Sequence, residues 1–336
     1  MKILFVDPPD LVNLTGKYTP NCGYLYMASL LKKYGYQVEI FDASALGANW
    51  PDIRNKIKEF RPDIVGTSSI TADFCKRVSL AELIKNTDKN IKTVLGGHFA
   101  SLAPKYSLKI GRYFDYVVVG EGENTFLELV QALGDGKGRG GLNFINGLAY
   151  FDGDQFIITG GRELINDLDS LPELDYSLIP MRKYRAYEFP GSPYDTTGVI
   201  FSRGCTHDCS FCTQSLLWGK TERSRSGKLM VEEISILNTR YNKKNFIISD
   251  NDFLFNRERC VDFIKGLEKS GNDIKFSIMA RPDSVIKNQD LLYRLRELGL
   301  IIIRLGIESY SQTSLNQLRK SQKYSDIILA VGCIKK

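Results

Sequence analysis

The chain has 336 residues, 43% hydrophobic and 25% charged, with 45 Lys and Arg against 39 Asp and Glu. This is the make-up of an ordinary globular protein long enough for two domains, and a net charge of +6 is too mild to argue for nucleic acid. No apolar run approaches the ~18 residues of a membrane span. The opening MKILFVDPPD meets Asp7 too early to be a secretory signal, so a cytoplasmic protein is expected.

Up to about residue 134 the chain alternates short apolar runs with helical patterns. Strands are expected at residues 3–6, 38–41, 64–66, 93–95 and 116–119, the last reading Tyr-Val-Val-Val. Such continuous apolar runs mean that both faces of a parallel sheet are covered. Between them lie helices such as 52–60, where Ile53, Ile57 and Phe60 recur at helical spacing. The alternation predicts a doubly wound α/β sheet, with ligands expected at the loops leaving the strands' carboxyl ends: 7–23, 67–71, 96–101 and 120–124. There is no G-x-G-x-x-G after the first strand, so a nicotinamide-type site is poorly supported.

The glycine-rich stretch 134–141 reads as the end of the first domain. A hairpin follows at 147–151 and 155–159, turning at Asp152-Gly153, and the acidic, proline-punctuated stretch 167–176 reads as a connector. The expected layout is therefore a domain over 1–141, a hairpin and linker over 142–190, and a second domain over 191–336. There the βα rhythm returns, with strands expected at 198–202, 245–249, 275–278 and 301–305 and helices at 231–241, 258–269 and 290–298. The basic stretch 220–228 reads as a solvated loop, since it lacks the interleaved aromatics of a nucleic-acid surface.

Three of the seven cysteines, Cys205, Cys209 and Cys212, lie on one loop straight after the expected strand at 198–202. Their C-x3-C-x2-C spacing on a loop lets three thiolates gather, and sulfur ligands point to an iron–sulfur centre or zinc. A structural zinc site is normally closed by four ligands, so three suggest a metal with an open corner. The rival is a zinc knuckle completed by His207. The dispersed Cys22, Cys75, Cys260 and Cys333 read as buried free thiols in a reducing compartment.

The sequence GVIFSRGCTHDCSFCTQ (198–214), with Phe211 before the third cysteine, resembles the signature of the radical S-adenosylmethionine (SAM) superfamily. The resemblance implies that Cys205, Cys209 and Cys212 hold a 4Fe-4S cluster. It further implies that SAM chelates the remaining iron and is cleaved to methionine and a 5′-deoxyadenosyl radical, with electrons from a donor such as flavodoxin or ferredoxin. The phrases RSRSGKLMVEEI, FIISDNDF, MARPD and LGIES resemble the branch that includes cobalamin-dependent methyltransferases. They imply a βα barrel whose strand-end residues face SAM, Glu308 and Asp252 as acceptors, Arg281 as a carboxylate clamp and Ser309 toward the ribose, with Phe211 of the cysteine loop also binding SAM. PPD, GYLYMASLLKKYGYQVEIFDA, RPDIVGTSS, LGGH and VVVGEGENTFLEL in the first half resemble the cobalamin-binding domain of that branch. They imply a corrinoid held by Ser68, Ser69, Gly96, Gly97, Gly120, Glu121 and Gly122, with His98 not a cobalt ligand because no D-x-H-x-x-G is present.

The implied function is methylation of an unactivated carbon on a small biosynthetic substrate, without membrane or nucleic acid. One SAM would methylate the corrinoid and another would supply the radical. Rivals are a radical cyclase or rearrangement enzyme, an RNA methylthiotransferase, and a non-catalytic corrinoid or iron–sulfur sensor. The methylthiotransferase would need more N-terminal cysteines than Cys22 and Cys75. The barrel of the family has six βα units and four are counted here, so a fragment of a longer polypeptide is expected.

Overall fold

The computed structural model describes residues 1–9, 19–134 and 139–335, and the chain divides into two compact units. Much of the first domain-end stretch (135–138) and of the first expected ligand loop (10–18) lies outside the described residues.

The first unit is built on β1 (Lys2–Asp7), β2 (Gln37–Asp42), β3 (Ile64–Ser68), β4 (Lys92–Gly96) and β5 (Tyr116–Val118), all parallel. Side chains of a strand alternate between faces, and β1 divides accordingly. Ile3 and Phe5 join Tyr24, Leu31, Phe126 and Leu129 on one side. Leu4 and Val6 join Ile53, Ile57, Leu80 and Ile84 on the other. Helices Cys22–Lys33 and Gly122–Gly134 supply the first core, and Trp50–Phe60 and Phe74–Thr87 the second. Helix Trp50–Phe60 starts where Asn49 and Asp52 exchange side-chain bonds to each other's N–H, with Pro51 in its first turn.

The sheet is not purely parallel. β6 (Leu148–Asp152) and β7 (Gln155–Ile158) continue it antiparallel, giving the order β2-β1-β3-β4-β5-β6-β7. The hairpin expected in the linker thus covers the edge that β5 would otherwise expose with unpaired backbone groups. The strand order reverses between β1 and β3, with β2 added on one side of β1 and β3 on the other, the switch point of a doubly wound sheet, whose carboxyl-end crevice takes ligands.

In the second unit β8 (Thr196–Val199) is followed by β9 (Ser202–Gly204) and β10 (Glu222–Ser224), which pair with each other antiparallel. Then β11 (Asn245–Ile248), β12 (Lys275–Ala280) and β13 (Leu300–Leu305) line up with β8 in a parallel sheet, order β13-β12-β11-β8. Helices Gly227–Tyr241, Arg257–Ser270 and Gln289–Glu297 connect them. Phe253, Phe263 and Phe276, each fully buried, stack edge to face in the core.

Two expectations are corrected here. The run expected as one strand at 198–202 is broken, because the buried Asp250 carboxylate accepts the N–H groups of Phe201 (2.7 Å) and Ser202 (3.0 Å) and takes them out of the ladder. The stretch 220–228 is not a solvated loop: it contains β10, and Arg223 and Arg225 are buried, with Arg225 paired to buried Glu233 at 3.1 Å. Among the described residues no helix is long and apolar enough to cross a membrane.

Candidate metal centre and strand-end loops

The cysteine loop leaves β9 through Gly204, whose φ is +86° and where a Cβ would lie 2.1 Å from the Thr221 carbonyl, so the turn demands glycine. Asn251, on the loop after β11, donates to the Gly204 carbonyl at 2.8 Å and to Gln214 at 3.2 Å, holding both ends of the loop. Within it the Cys212 N–H bonds the Cys209 carbonyl, and the Ser210 N–H reaches the Leu318 carbonyl at 2.9 Å. Cys205, Cys209 and Cys212 are all free thiols, Cys209 buried and the other two half-buried. Burial pushes the Cys205 thiol up; a backbone N–H from His207 and the Arg281 charge pull it down, and Cys209 and Cys212 raise it again. The three cysteines share the eight-residue stretch Cys205–Cys212 between β9 and β10. Among the described residues no three His, Cys, Asp or Glu groups are arranged to hold a single metal ion. In a cubane cluster each thiolate takes a different iron, so three sulfurs around a cluster need not meet at one point.

The other strand ends supply charge. Asp250 is tied to the Arg259 guanidinium at 2.9 Å, both nearly inaccessible, with Glu222 3.8 Å from the same guanidinium. Burial pushes the Glu222 carboxyl up, opposed by Arg259. Asp252, expected to meet SAM, has both oxygens engaged inside the protein: one accepts the Arg281 N–H at 3.3 Å, the other the Ser284 hydroxyl at 2.5 Å. Burial pushes its carboxyl up to about 6, although those two hydrogen bonds pull the other way. Arg281 is buried and spends its guanidinium on Asp283 and on the Lys320 and Ser321 carbonyls. It touches the centre through its charge on Cys205 and His207. Burial holds the His207 imidazole below its usual range, with Arg281 adding to the effect.

Glu308 follows β13 with φ at +65°, a left-handed conformation unusual for a non-glycine residue. Its carboxylate meets the Lys320 ammonium at 3.0 Å, and that ammonium also lies 5.7 Å from the centre of the Phe211 ring. Phe211 itself is half exposed. The Ser309 hydroxyl accepts the Ser311 N–H at 3.1 Å. From the sequence Asp250 and Asn251 carry no role beyond their place at a strand end, and Ser284 and Lys320 carry none. The first two lie in the quoted phrase FIISDNDF, but nothing in the local pattern marks Lys320.

In the first unit the strand-end loops are built from backbone. Gly97 has φ +91°, and a Cβ there would come within 2.4 Å of the Ser68 hydroxyl and 2.6 Å of the Ser69 carbonyl. Gly120, φ +81°, has nothing within 4 Å of where its Cβ would stand. Ser101 bridges these loops, donating to the Gly97 carbonyl and accepting the Gly120 N–H. The Ser69 hydroxyl is buried without a hydrogen-bond partner among the described residues. At Gly96 a Cβ would stand 4.0 Å from the Thr67 carbonyl, whereas Gly122 packs more tightly, near Met27 and Val118. Glu121 is buried and accepts the Ile165 N–H at 2.6 Å, so its carboxylate pins the chain beyond β7. Burial holds the half-buried His98 imidazole below its usual range. The remaining cysteines correct another expectation: Cys260 is buried and bonds the Phe253 carbonyl, but Cys75 is exposed and Cys22 and Cys333 are half-buried.

The B12 binding domain model matches residues 9–130 and the radical SAM superfamily model matches residues 199–336. An uncharacterized methyltransferase of Pyrococcus horikoshii is 34% identical over all of this chain and 72% of its own length. The anaerobic magnesium-protoporphyrin IX monomethyl ester cyclase of Rubrivivax gelatinosus is 31% identical, also over the whole chain and over 60% of its own length. Among solved structures, the cobalamin-dependent S-adenosylmethionine radical enzyme OxsB, with aqua-cobalamin and SAM bound, superposes with a TM-score of 0.85 at 21% identity, over 99% of this chain and 47% of its own. The chain thus spans only about half to three quarters of the proteins it matches.

Proposed function

The chain belongs to the radical SAM superfamily, in the group that carries a B12-binding domain, and from that premise we propose that it cleaves SAM reductively at a 4Fe-4S cluster and uses cobalamin to methylate an unactivated carbon of a small biosynthetic substrate. The observation that carries this reading is the trio of free cysteines, Cys205, Cys209 and Cys212, on the one loop that runs from β9 to β10. When bound, the cluster supplies the electron that breaks SAM to methionine and a 5′-deoxyadenosyl radical, and the corrinoid supplies the methyl group.

The residues of the chain have separable jobs in this scheme. Cys205, Cys209 and Cys212 would hold the cluster; burial raises the Cys205 thiol, and the His207 N–H and Arg281 charge offset only part of that toward the thiolate that ligation needs. Glu308, held beside the loop, is the acceptor best placed for the polar groups of SAM, with Ser309 next to it. Asp252 and Arg281 serve the pocket from behind: Asp252 fixes Arg281 and Ser284, and Arg281 fixes the loop carrying Lys320. In the first unit the close-packed turn at Gly97, the open space at Gly120, and the Ser69 hydroxyl, without a hydrogen-bond partner among the described residues, fit a large ligand approached by backbone. Glu121 would support that cradle without touching the ligand. Buried Arg223 and Arg225 are not available to phosphate, which weighs against an RNA substrate. An external one-electron donor of the flavodoxin or ferredoxin type would complete the cycle.

The Rubrivivax relative is named a cyclase, so radical cyclisation without methyl transfer is the second reading. Anaerobic reconstitution with iron and sulfide, then dithionite and SAM, tests the common step: 5′-deoxyadenosine is the expected product, and its absence overturns both readings. Growth with and without cobalamin, followed by pigment analysis, separates them. A protein that carries no corrinoid under either condition removes the methyl-transfer reading.

A further inference from the structure

Lys320 sits on the loop after helix Gln312–Gln317, far in sequence from the cysteines, yet only 6% of it is exposed. A buried ammonium is expensive unless it is paired and hydrogen-bonded. Its partner is the Glu308 carboxylate at 3.0 Å, and the Phe211 ring lies beneath it at 5.7 Å. The space for it is made by Gly306, where a Cβ would come within 3.2 Å of the ammonium nitrogen. The backbone is bent to bring it there: Arg319 and Ser321, on either side, both have positive φ, 50° and 51°. Left-handed conformations at non-glycine residues are costly and persist where surrounding contacts enforce them. Here the enforcing contacts come from the site itself. Arg281 grips the carbonyls of Lys320 and Ser321, and the Ser210 N–H of the cysteine loop grips that of Leu318.

We propose that Lys320 is a positioning residue that ties Glu308 to the cysteine loop, holding the carboxylate and the Phe211 ring in register and placing a positive charge beside the cluster. The inference rests on the proposed function, because it gives the ion pair a role toward cluster and SAM. Glu308 remains partly exposed, so it can face a ligand with the oxygen that Lys320 does not take.

The test uses the full chain, reconstituted, in four forms: Lys320→Met, Glu308→Gln, the double variant, and Lys320→Arg. Lys320→Met is expected to weaken SAM binding about tenfold by equilibrium dialysis and to lower the cluster midpoint in an EPR-monitored titration. Net charge near a cluster sets its potential, so Glu308→Gln is expected to raise the midpoint and the double variant to return it toward wild type. Lys320→Arg should restore most of both. Lys320→Met with SAM affinity within twofold of wild type and an unmoved midpoint overturns the proposal, as do midpoint shifts of the same sign in the two single variants.

A second readout needs no cluster and also serves if Lys320→Met alone does not fold. In apo protein Glu308→Gln strands a buried cation, so adding Lys320→Met should recover unfolding free energy; no recovery overturns the pairing. Wild-type protein that takes up no cluster would instead sink the function, leaving the apo cycle to decide the pair.

Discussion

The parallel strands of the two sheets end in loops built in different styles. In the first unit the loops at Gly97 and Gly120 are shaped by glycines with positive φ and by Ser101 hydrogen bonds, with the Asp7–Arg77–Asp73 ion pairs confined to the end of β1 and the helix that follows β3. In the second unit the same topological position is packed with ion pairs: Asp250–Arg259, Arg281–Asp283 and Lys320–Glu308. The contrast teaches what each can recognise. A backbone cradle suits a broad ligand read by shape and by amide contacts, whereas fixed charges suit a small reacting centre whose charge changes during the chemistry.

The comparison breaks most completely at the cysteines. Cys205→Ala is expected to abolish the visible absorbance of the reconstituted cluster and all 5′-deoxyadenosine formation, while cobalamin retention, a property of the other unit, stays at the wild-type level. Gly97→Ala is the mirror experiment. The added methyl meets Ser68 and Ser69 at 2.4 to 2.7 Å in a conformation that disfavours any side chain, so retained cobalamin should drop at least about tenfold, an effect of the 1–3 kcal/mol scale of such strain. Cluster absorbance should be unaffected. Loss of both cofactors in either variant would erase the distinction between the units.

Arg259→Met probes the charged scaffold. It leaves Asp250 buried without its ion partner, and such breaks cost about 3–5 kcal/mol; denaturant unfolding of the apo protein should show a loss in that range. The smallest effect concerns pH. Because burial raises the Asp252 carboxyl to about 6, the folded state binds a proton more readily than the unfolded one. Its contribution is full below the ordinary carboxylate range, near pH 4, and is lost as pH rises through about 6. The stability of wild type relative to Asp252→Asn should therefore fall between pH 4 and 6, measured by thermal unfolding of apo protein. A flat difference would mean that Asp252 ionises normally.

Much of this was legible in the sequence because it depends on local pattern. The apolar runs of β1 to β5 lie where expected, and Cys205, Cys209 and Cys212 lie on one loop straight after a strand. What the pattern could not carry depends on partners distant in the chain. Val199 and Ser202 read as one strand until Asp250, about fifty residues on, removes two N–H groups from the ladder. Arg223 and Arg225 read as solvated until Glu233 and the helix bearing it cover the stretch. Asp252 and Arg281 stand at strand ends, as the pattern predicts, but their inward bonds depend on the fold. Lys320 carries no local signal at all, since its burial is created by Glu308, Gly306 and Phe211.

The central claim is that the three cysteines hold a cluster and not a single ion. Metal and acid-labile sulfide analysis of protein purified anaerobically tests it most directly. The account predicts brown protein with about four irons and four sulfides per chain, both lost in Cys205→Ala. Colourless protein carrying one zinc per chain, unchanged after reconstitution with iron and sulfide, would contradict it.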